Sequence, residues 1–427
     1  MENVVAAPSY PEAVLDFIEP GADVIVPLAN GEPIALLDAM EANHERLQGV
    51  RVHQMHALVD RPYLHGKAGD HLRHVSYFLS PVTRKAFWNG TCELVPNHFS
   101  EVPALLQHST KCSIVLAAAS PPDRHGYFSL GTNADYVSSL IGRAPFFLEV
   151  NPNMPRTFGE NQLHASQLLG WCRVDRPLIE VPPAMPGPKD DAIASFVAER
   201  IPNGATMQVG IGAIPAAVLN ALRDHRDLGI HTELLSDAIV DLVECGVITG
   251  TRKSLRRHKI VTTFCLGTSA LYAWLHENAA VELLPVVWVN DPRVIARESN
   301  FVSINATTEV DLIGQCASET IGGRYWSGSG GQADFARGAM YSESGKAFVV
   351  LHSTTSDEKT SRIRVRLTEG SVVTTLKNTV DHVVTEYGVA ELRGRSLSER
   401  ASALIEIAHP AFRDELRRDA KASGLLC

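Results

Sequence analysis

Short apolar runs bounded by glycine or proline alternate along this chain with segments whose apolar residues recur at helical spacing. The runs at 112–118, 146–150, 260–265, 285–289, 301–304 and 348–351 predict strands buried on both faces, and 371–375 is strand-like. Helical spacing appears at 11–18, 34–40, 192–201 and 216–222. Strands alternating with helices predict an α/β fold.

The pattern repeats faintly. Around Gly21 the chain reads Gly-Ala-Asp-Val-Ile-Val-Pro-Leu-Ala-Asn-Gly-Glu-Pro, and around Gly204 it reads Gly-Ala-Thr-Met-Gln-Val-Gly-Ile-Gly-Ala-Ile-Pro. Each copy predicts a buried strand, a glycine-containing turn and a proline at a helix start, where the missing N–H costs nothing. Each is preceded by an amphipathic helix pattern and followed by a glycine-led strand, Gly49-Val50-Arg51-Val52-His53 in one half and Gly229-Ile230-His231-Thr232-Glu233 in the other. Self-similarity offset by about half the chain implies two related open α/β domains. The stretch 181–191 carries four closely spaced prolines, Pro182, Pro183, Pro186 and Pro188, which disfavours helix and central strand alike. The expected domains are therefore 1–183 and 190–427.

Composition narrows the function. A chain of 427 residues, 45% apolar and 20% charged, is an ordinary globular protein large enough for two cores. Its net charge of −9 comes with no basic stripe, so nucleic acid is not an expected partner. No apolar run is long enough to span a bilayer, and Met1-Glu2-Asn3-Val4-Val5 has no basic region leading into an apolar one. The expectation is a soluble cytoplasmic protein with no membrane partner. The seven cysteines contain no Cys-x-x-Cys pair and read as reduced thiols, with Cys245 and Cys265 as small core residues. Among seventeen histidines no helical His-x-x-x-His pair stands out, and no Gly-x-Ser-x-Gly elbow is present. Neither a metal site nor a serine hydrolase is expected.

Three features carry candidate chemistry. Gly210-Ile211-Gly212-Ala213-Ile214-Pro215 is a strand-to-helix turn whose outward N–H groups suit an oxyanion or phosphate, although tight packing alone would also explain it. Glu233 follows a short strand pattern and precedes a helix that Ser236 or Asp237 caps and Gly246 ends. That order places it beyond the carboxyl end of a strand, where ligands gather in open α/β sheets; a solvated loop carboxylate is the other reading. A second glycine-rich loop, 326–335, implies close backbone approach or a flexible surface segment. Lys377 and Asn378, after the strand-like 371–375, could meet an anionic ligand, with ordinary solvation of a surface lysine as the other reading.

Together, Gly210 to Pro215, Gly229 to Glu233 with Ser236-Asp237, Ser329-Gly330-Gly331-Gln332-Ala333-Asp334-Phe335 and Val383-Val384-Thr385-Glu386-Tyr387-Gly388 resemble the acetyl-CoA hydrolase/transferase family, nearest its 4-hydroxybutyrate CoA-transferase branch. Ser120-Pro121-Pro122-Asp123 with His125-Gly126-Tyr127 extends the similarity into the first half. The resemblance implies the class I CoA-transferase (NagB-RpiA-like) fold, two α/β domains with the active site at their interface. It assigns Glu233 as the nucleophile, and Gly210, Ile211, Gly212, Ala213, Ile214, Asn305, Gly330, Gly331 and Lys377 to CoA. Ala238 departs from the glycine usual after Ser-Asp. Asn30, Gly31, Asp60, Arg61, Met154 and Arg156 are candidate lining residues of an acyl pocket in the first domain, with Arg61 or Arg156 able to meet a second carboxylate.

The implied reaction moves CoA between a short-chain acyl-CoA and a free carboxylate of the acetate, butyrate or 4-hydroxybutyrate type, through an acyl-glutamyl anhydride and a glutamyl-CoA thioester. No tightly bound cofactor is expected; CoA and acyl-CoA are substrates. A homodimer or higher homo-oligomer is implied. An acyl-CoA hydrolase using the same Glu233, and a non-catalytic CoA- or nucleotide-binding regulator, are the alternatives.

Overall fold

The computed structural model describes residues 7–426; Met1-Glu2-Asn3-Val4-Val5 and Cys427 lie outside the described residues. The chain divides into two compact units. One runs up to Pro182 and takes in Val261–Val289; the other comprises Pro183–Ile260 and the chain from Asn290 onward. The division falls within the proline-rich stretch, but the second unit is not one continuous segment, because Val261–Val289 packs with the first.

In the first unit β1 (Asp23–Val26), β2 (Val50–Gln54), β3 (Leu72–Ser76), β4 (Cys92–Leu94), β5 (Ile114–Ala119), β6 (Phe146–Val150) and β7 (Leu168–Arg173) form one sheet in the order β7-β6-β5-β1-β2-β3-β4. All its pairings are parallel. Residues of β1, β5 and β6 are buried throughout, as apolar runs with no alternation require when helices cover both faces. The strand order reverses between β1 and β5.

In the second unit β8 (Thr206–Val209), β9 (Gly229–Ile230), β10 (Phe301–Ala306), β11 (Lys346–Val350), β12 (His382–Thr385) and β13 (Gly388–Glu391) form a sheet ordered β9-β8-β10-β11-β12-β13, parallel except for the β12/β13 hairpin. Its order reverses between β8 and β10. The repeat is thus structural: β8 lies between β9 and β10 as β1 lies between β2 and β5. Helices Ile34–Ala42 and Ala213–Ala221 follow the two equivalent turns.

Several local expectations need correction. Residues 285–289 form the short helix Val286–Val289, with Trp288 and Val289 donating N–H groups to Pro285 O, where a strand was expected. A brief apolar run starting at proline has no period that separates the two states. Residues 371–375 form no strand; Thr374 and Thr375 donate to Cys316 O as an isolated bridge. The 11–18 pattern is a 3-10 helix, Pro11–Phe17. Cys245 caps a helix C-terminus and is exposed, whereas Cys265 is buried. Among the described residues no helix is long and apolar enough to cross a membrane, and no cluster of potential metal ligands occurs.

Candidate active site

The second unit's sheet sets the site. Its order reverses at β8 and β10, and there Gly210 follows β8 while Asn305 lies at the end of β10. Ligands of open α/β sheets occupy this kind of crevice. Gln208 and Asn305 hold each other by two amide hydrogen bonds of 3.1 and 2.9 Å. The Gly210 N–H is already engaged by Ile304 O at 3.0 Å. Donors for a ligand at this turn must therefore come from Ile211, Gly212, Ala213 and Ile214, at the start of helix Ala213–Ala221. Gly212 has φ +119, a conformation that L side chains rarely adopt. Ile211 is exposed at the tip.

Next to β8 runs β9, only two residues long. The chain leaves the sheet after Ile230, and Thr232 Oγ1 reaches back to Val209 O at 3.4 Å. Glu233 sits in the bend between β9 and Leu234–Leu235, before the helix Asp237–Glu244. That helix starts at Ser236 and closes with Gly246 at φ +77, and Ala238 lies half-buried in its first turn.

The helix terminus that Glu233 meets is a different one. Its carboxylate accepts a hydrogen bond from the Gly331 N–H, at the N-cap of helix Gln332–Tyr341. Asn290 Nδ2 donates a second, to Oε2, at 2.9 Å. A Cβ at Gly331 would collide with Glu233 Oε2 and Asn290 Nδ2, so only glycine leaves room for the carboxylate. Burial is the largest influence on the acid, although the residue keeps some exposed surface, and with the nearby Asp334 charge it outweighs the two donors. Together they push the Glu233 pKa up to about 7. Asn290 and Asp334 were not singled out from sequence. The only signal for Asn290 is the Asn290-Asp291-Pro292 turn, where Asp291 caps the helix Pro292–Ile295.

Comparison with known proteins identifies the family. Residues 8–180 match the acetyl-CoA hydrolase/transferase N-terminal domain, and residues 267–420 match the C-terminal domain of the same name. The chain is 42% identical over 407 residues to the succinyl-CoA:cyclohexane-1-carboxylate CoA transferase of Geobacter metallireducens, covering 95% of this chain and 92% of that protein. It is also 42% identical over 412 residues to the 4-hydroxybutyrate coenzyme A transferase of Clostridium kluyveri, covering 96% of each. The crystal structure of RipA from Yersinia pestis superposes with a TM-score of 0.93 at 36% identity, covering 98% of both chains. The chain belongs to the acetyl-CoA hydrolase/transferase family.

The other residues expected to act in this family member fall in varied places. Gly330 and Gly331 are both buried, and Gly331 is the one that meets Glu233. Lys377 is half-buried, its carbonyl held by Arg400 Nη1 at 2.6 Å. In the first unit, Asn30 is buried and donates to Ile179 O and Tyr272 OH at 2.9 and 2.8 Å, so its amide is spent within the fold. Gly31 is packed against Pro27 and Asn133, and Met154 is buried against Gly131. Asp60 is exposed and pairs with His65 at 2.6 Å. Arg61 is buried between Glu32 and Asp38, at 3.4 and 2.5 Å. Arg156 pairs with Asp123 at 2.8 Å and donates to Tyr127 O. Asp123 in turn accepts the His125 and Tyr127 N–H groups, so the Ser120 to Tyr127 motif is a turn braced by Arg156. Each arginine is already paired with an acid of its own unit, so a second carboxylate there would share the guanidinium with Glu32 and Asp38, or with Asp123.

Proposed function

We propose that the protein is a CoA-transferase that moves CoA between a short-chain acyl-CoA and a free carboxylate, with Glu233 as nucleophile. The observation that carries this reading is the Glu233 carboxylate held between Asn290 Nδ2 and the Gly331 N–H. The names of the relatives, a succinyl-CoA:cyclohexane-1-carboxylate CoA transferase and a 4-hydroxybutyrate coenzyme A transferase, support transfer of CoA between an acyl-CoA and a carboxylate.

In the first step the Glu233 carboxylate attacks the thioester carbonyl; the C–S bond breaks, giving an acyl-glutamyl anhydride and CoA thiolate. The thiolate then attacks the glutamyl carbonyl, releasing the first acid as its carboxylate and leaving CoA on Glu233 as a thioester. An incoming carboxylate reverses both steps. When the glutamyl carbonyl becomes tetrahedral its oxygen takes up negative charge, and the two donors that already grip Glu233 can stabilise that oxyanion by about 3 kcal/mol each. A pKa near 7 leaves a large ionised fraction at neutral pH while keeping the carboxylate more basic than a solvated one. The turn from Ile211 to Ile214, with Asn305, Gly330 and Lys377, belongs to CoA in this reading. A soluble, cytoplasmic homo-oligomer is part of it.

Intact-mass measurement after incubation with acyl-CoA, followed by borohydride trapping, tests the reading. A covalent CoA adduct is expected in the wild type and not in Glu233→Ala. Adduct in Glu233→Ala, or none in the wild type across several acyl donors, would overturn it. Thiol release that does not depend on an acceptor carboxylate would favour the hydrolase, and CoA binding without adduct the regulator.

A further inference from the structure

The glycine loop that delivers Gly331 has an anchor that the catalytic reading leaves unused. Gly328, Gly330 and Gly331 fall within four positions, a composition with a large conformational entropy to lose on ordering. The loop is nonetheless tied down at three points. Trp326 and Ser327 donate their N–H groups to Glu319 O at 2.7 and 3.2 Å. Ser329 Oγ donates to Glu319 Oε1 at 3.3 Å, and Thr374 Oγ1 donates to the same oxygen at 3.0 Å. Beyond the loop, Gln332 Nε2 donates to Thr375 Oγ1 at 3.1 Å. The anchoring segment is itself fixed, since Thr374 and Thr375 donate their N–H groups to Cys316 O at 2.9 and 3.2 Å.

Glu319 is 9% exposed, and a carboxylate so far from water is stable only where donors surround it. Here the donors include a hydroxyl from the loop and one from the segment beneath it. Only Gly330 separates Ser329 from Gly331, so a shift at Ser329 carries directly to the N–H that Glu233 accepts. We infer that Glu319 is a positioning residue that fixes the 326–331 loop so that the Gly331 N–H stays on Glu233. The inference rests on the reading of Glu233 as nucleophile.

The test compares full-length Glu319→Ala, Glu319→Gln and Ser329→Ala with wild type and Glu233→Ala, recording pH profiles of kcat/KM, CoA affinity and trapped adduct. The Gly331 donor lowers the Glu233 pKa, so a loosened loop moves the acid limb of the profile to higher pH. Glu319→Ala and Ser329→Ala are expected to lower kcat by roughly 10-fold and to raise the limb by about half a unit. Glu319→Gln keeps an acceptor oxygen in place and is expected to retain most of the activity. A Glu319→Ala/Ser329→Ala double variant is expected to be no worse than Glu319→Ala alone, because both changes cut the same Ser329–Glu319 link. Should Glu319→Ala not fold, Ser329→Ala decides, since it removes a single half-buried hydroxyl. An unmoved limb in Ser329→Ala, with Glu233→Ala free of adduct, would overturn the inference alone; adduct in Glu233→Ala would overturn the nucleophile reading beneath it.

Discussion

Asn290 Nδ2 donates to Glu233 Oε2 at 2.9 Å, while Asn290 Oδ1 is buried with no hydrogen-bond partner among the described residues. The amide therefore makes one polar contact through its side chain, and that contact is to Glu233, the proposed nucleophile. Leaving the carbonyl end unpaired costs free energy, which argues for a role beyond packing. Truncation in Asn290→Ala removes a donor that lowers the Glu233 pKa. We expect kcat to fall by about 10- to 100-fold and the acid limb to move upward, with CoA affinity little changed. Steady-state kinetics across pH measure all three.

Gly331→Ala separates steric from conformational effects. Gly331 has φ −98, which alanine adopts without strain, so the backbone tolerates the change. The added methyl instead displaces Glu233 Oε2 and Asn290 Nδ2. The variant is expected to fold with near wild-type stability and to lose about 100-fold or more in kcat. A variant with unaltered turnover would show that Glu233 is not confined as described.

Stability should carry the signature of a buried acid. The folded pKa of Glu233, about 7, lies above the ordinary glutamate value of 4.5. Between those pH values the native state binds more protons at this site than the unfolded state, so stability falls as pH rises through the interval. The penalty is fully present above pH 7 and absent below 4.5. Glu233→Gln keeps the shape without the charge. It should therefore be more stable than wild type at pH 8, by on the order of 2–3 kcal/mol, and the gap should close as the pH is lowered toward 4.5. Denaturant titrations at the two pH values provide the comparison.

Local pattern revealed the strands around the switch points and the position of Glu233, because buried runs and glycine turns are properties of neighbouring residues. Glu233 differs from its counterpart in the first half for a reason the sequence does not display. β2 continues to Gln54 and buries His53 against Asp23 and Tyr77, whereas β9 stops at Ile230 and Glu233 falls in the bend beyond it. The partners of Glu233 were not legible either. Asn290 lies 57 residues away, and the helix N-terminus that serves the acid belongs to the second glycine loop, not to the helix that follows Glu233 in sequence. The return of Val261–Val289 to the first unit is likewise a matter of tertiary packing with no local signature. The arginines offered for a second carboxylate show the converse. Their charge is visible in sequence, but Glu32, Asp38 and Asp123, which pair with it, are identified as partners only by the fold.

Gln208 and Asn305 offer a way to separate structural support from CoA contact at the switch point. Their reciprocal bonds satisfy Gln208, which is 1% exposed, while Asn305 is half-buried. Asn305→Leu strands the Gln208 amide and should cost about 1–3 kcal/mol of stability. Adding Gln208→Leu removes the stranded group, and replacing both partners by apolar side chains of similar size can be nearly neutral. The double variant is therefore expected to recover most of the stability. If Asn305 also touches CoA, KM for acyl-CoA should stay raised in both the single and the double variant, because recovered packing does not restore a lost contact. A KM that recovers together with stability would confine Asn305 to support of the turn, leaving CoA binding there to the N–H groups from Ile211 to Ile214.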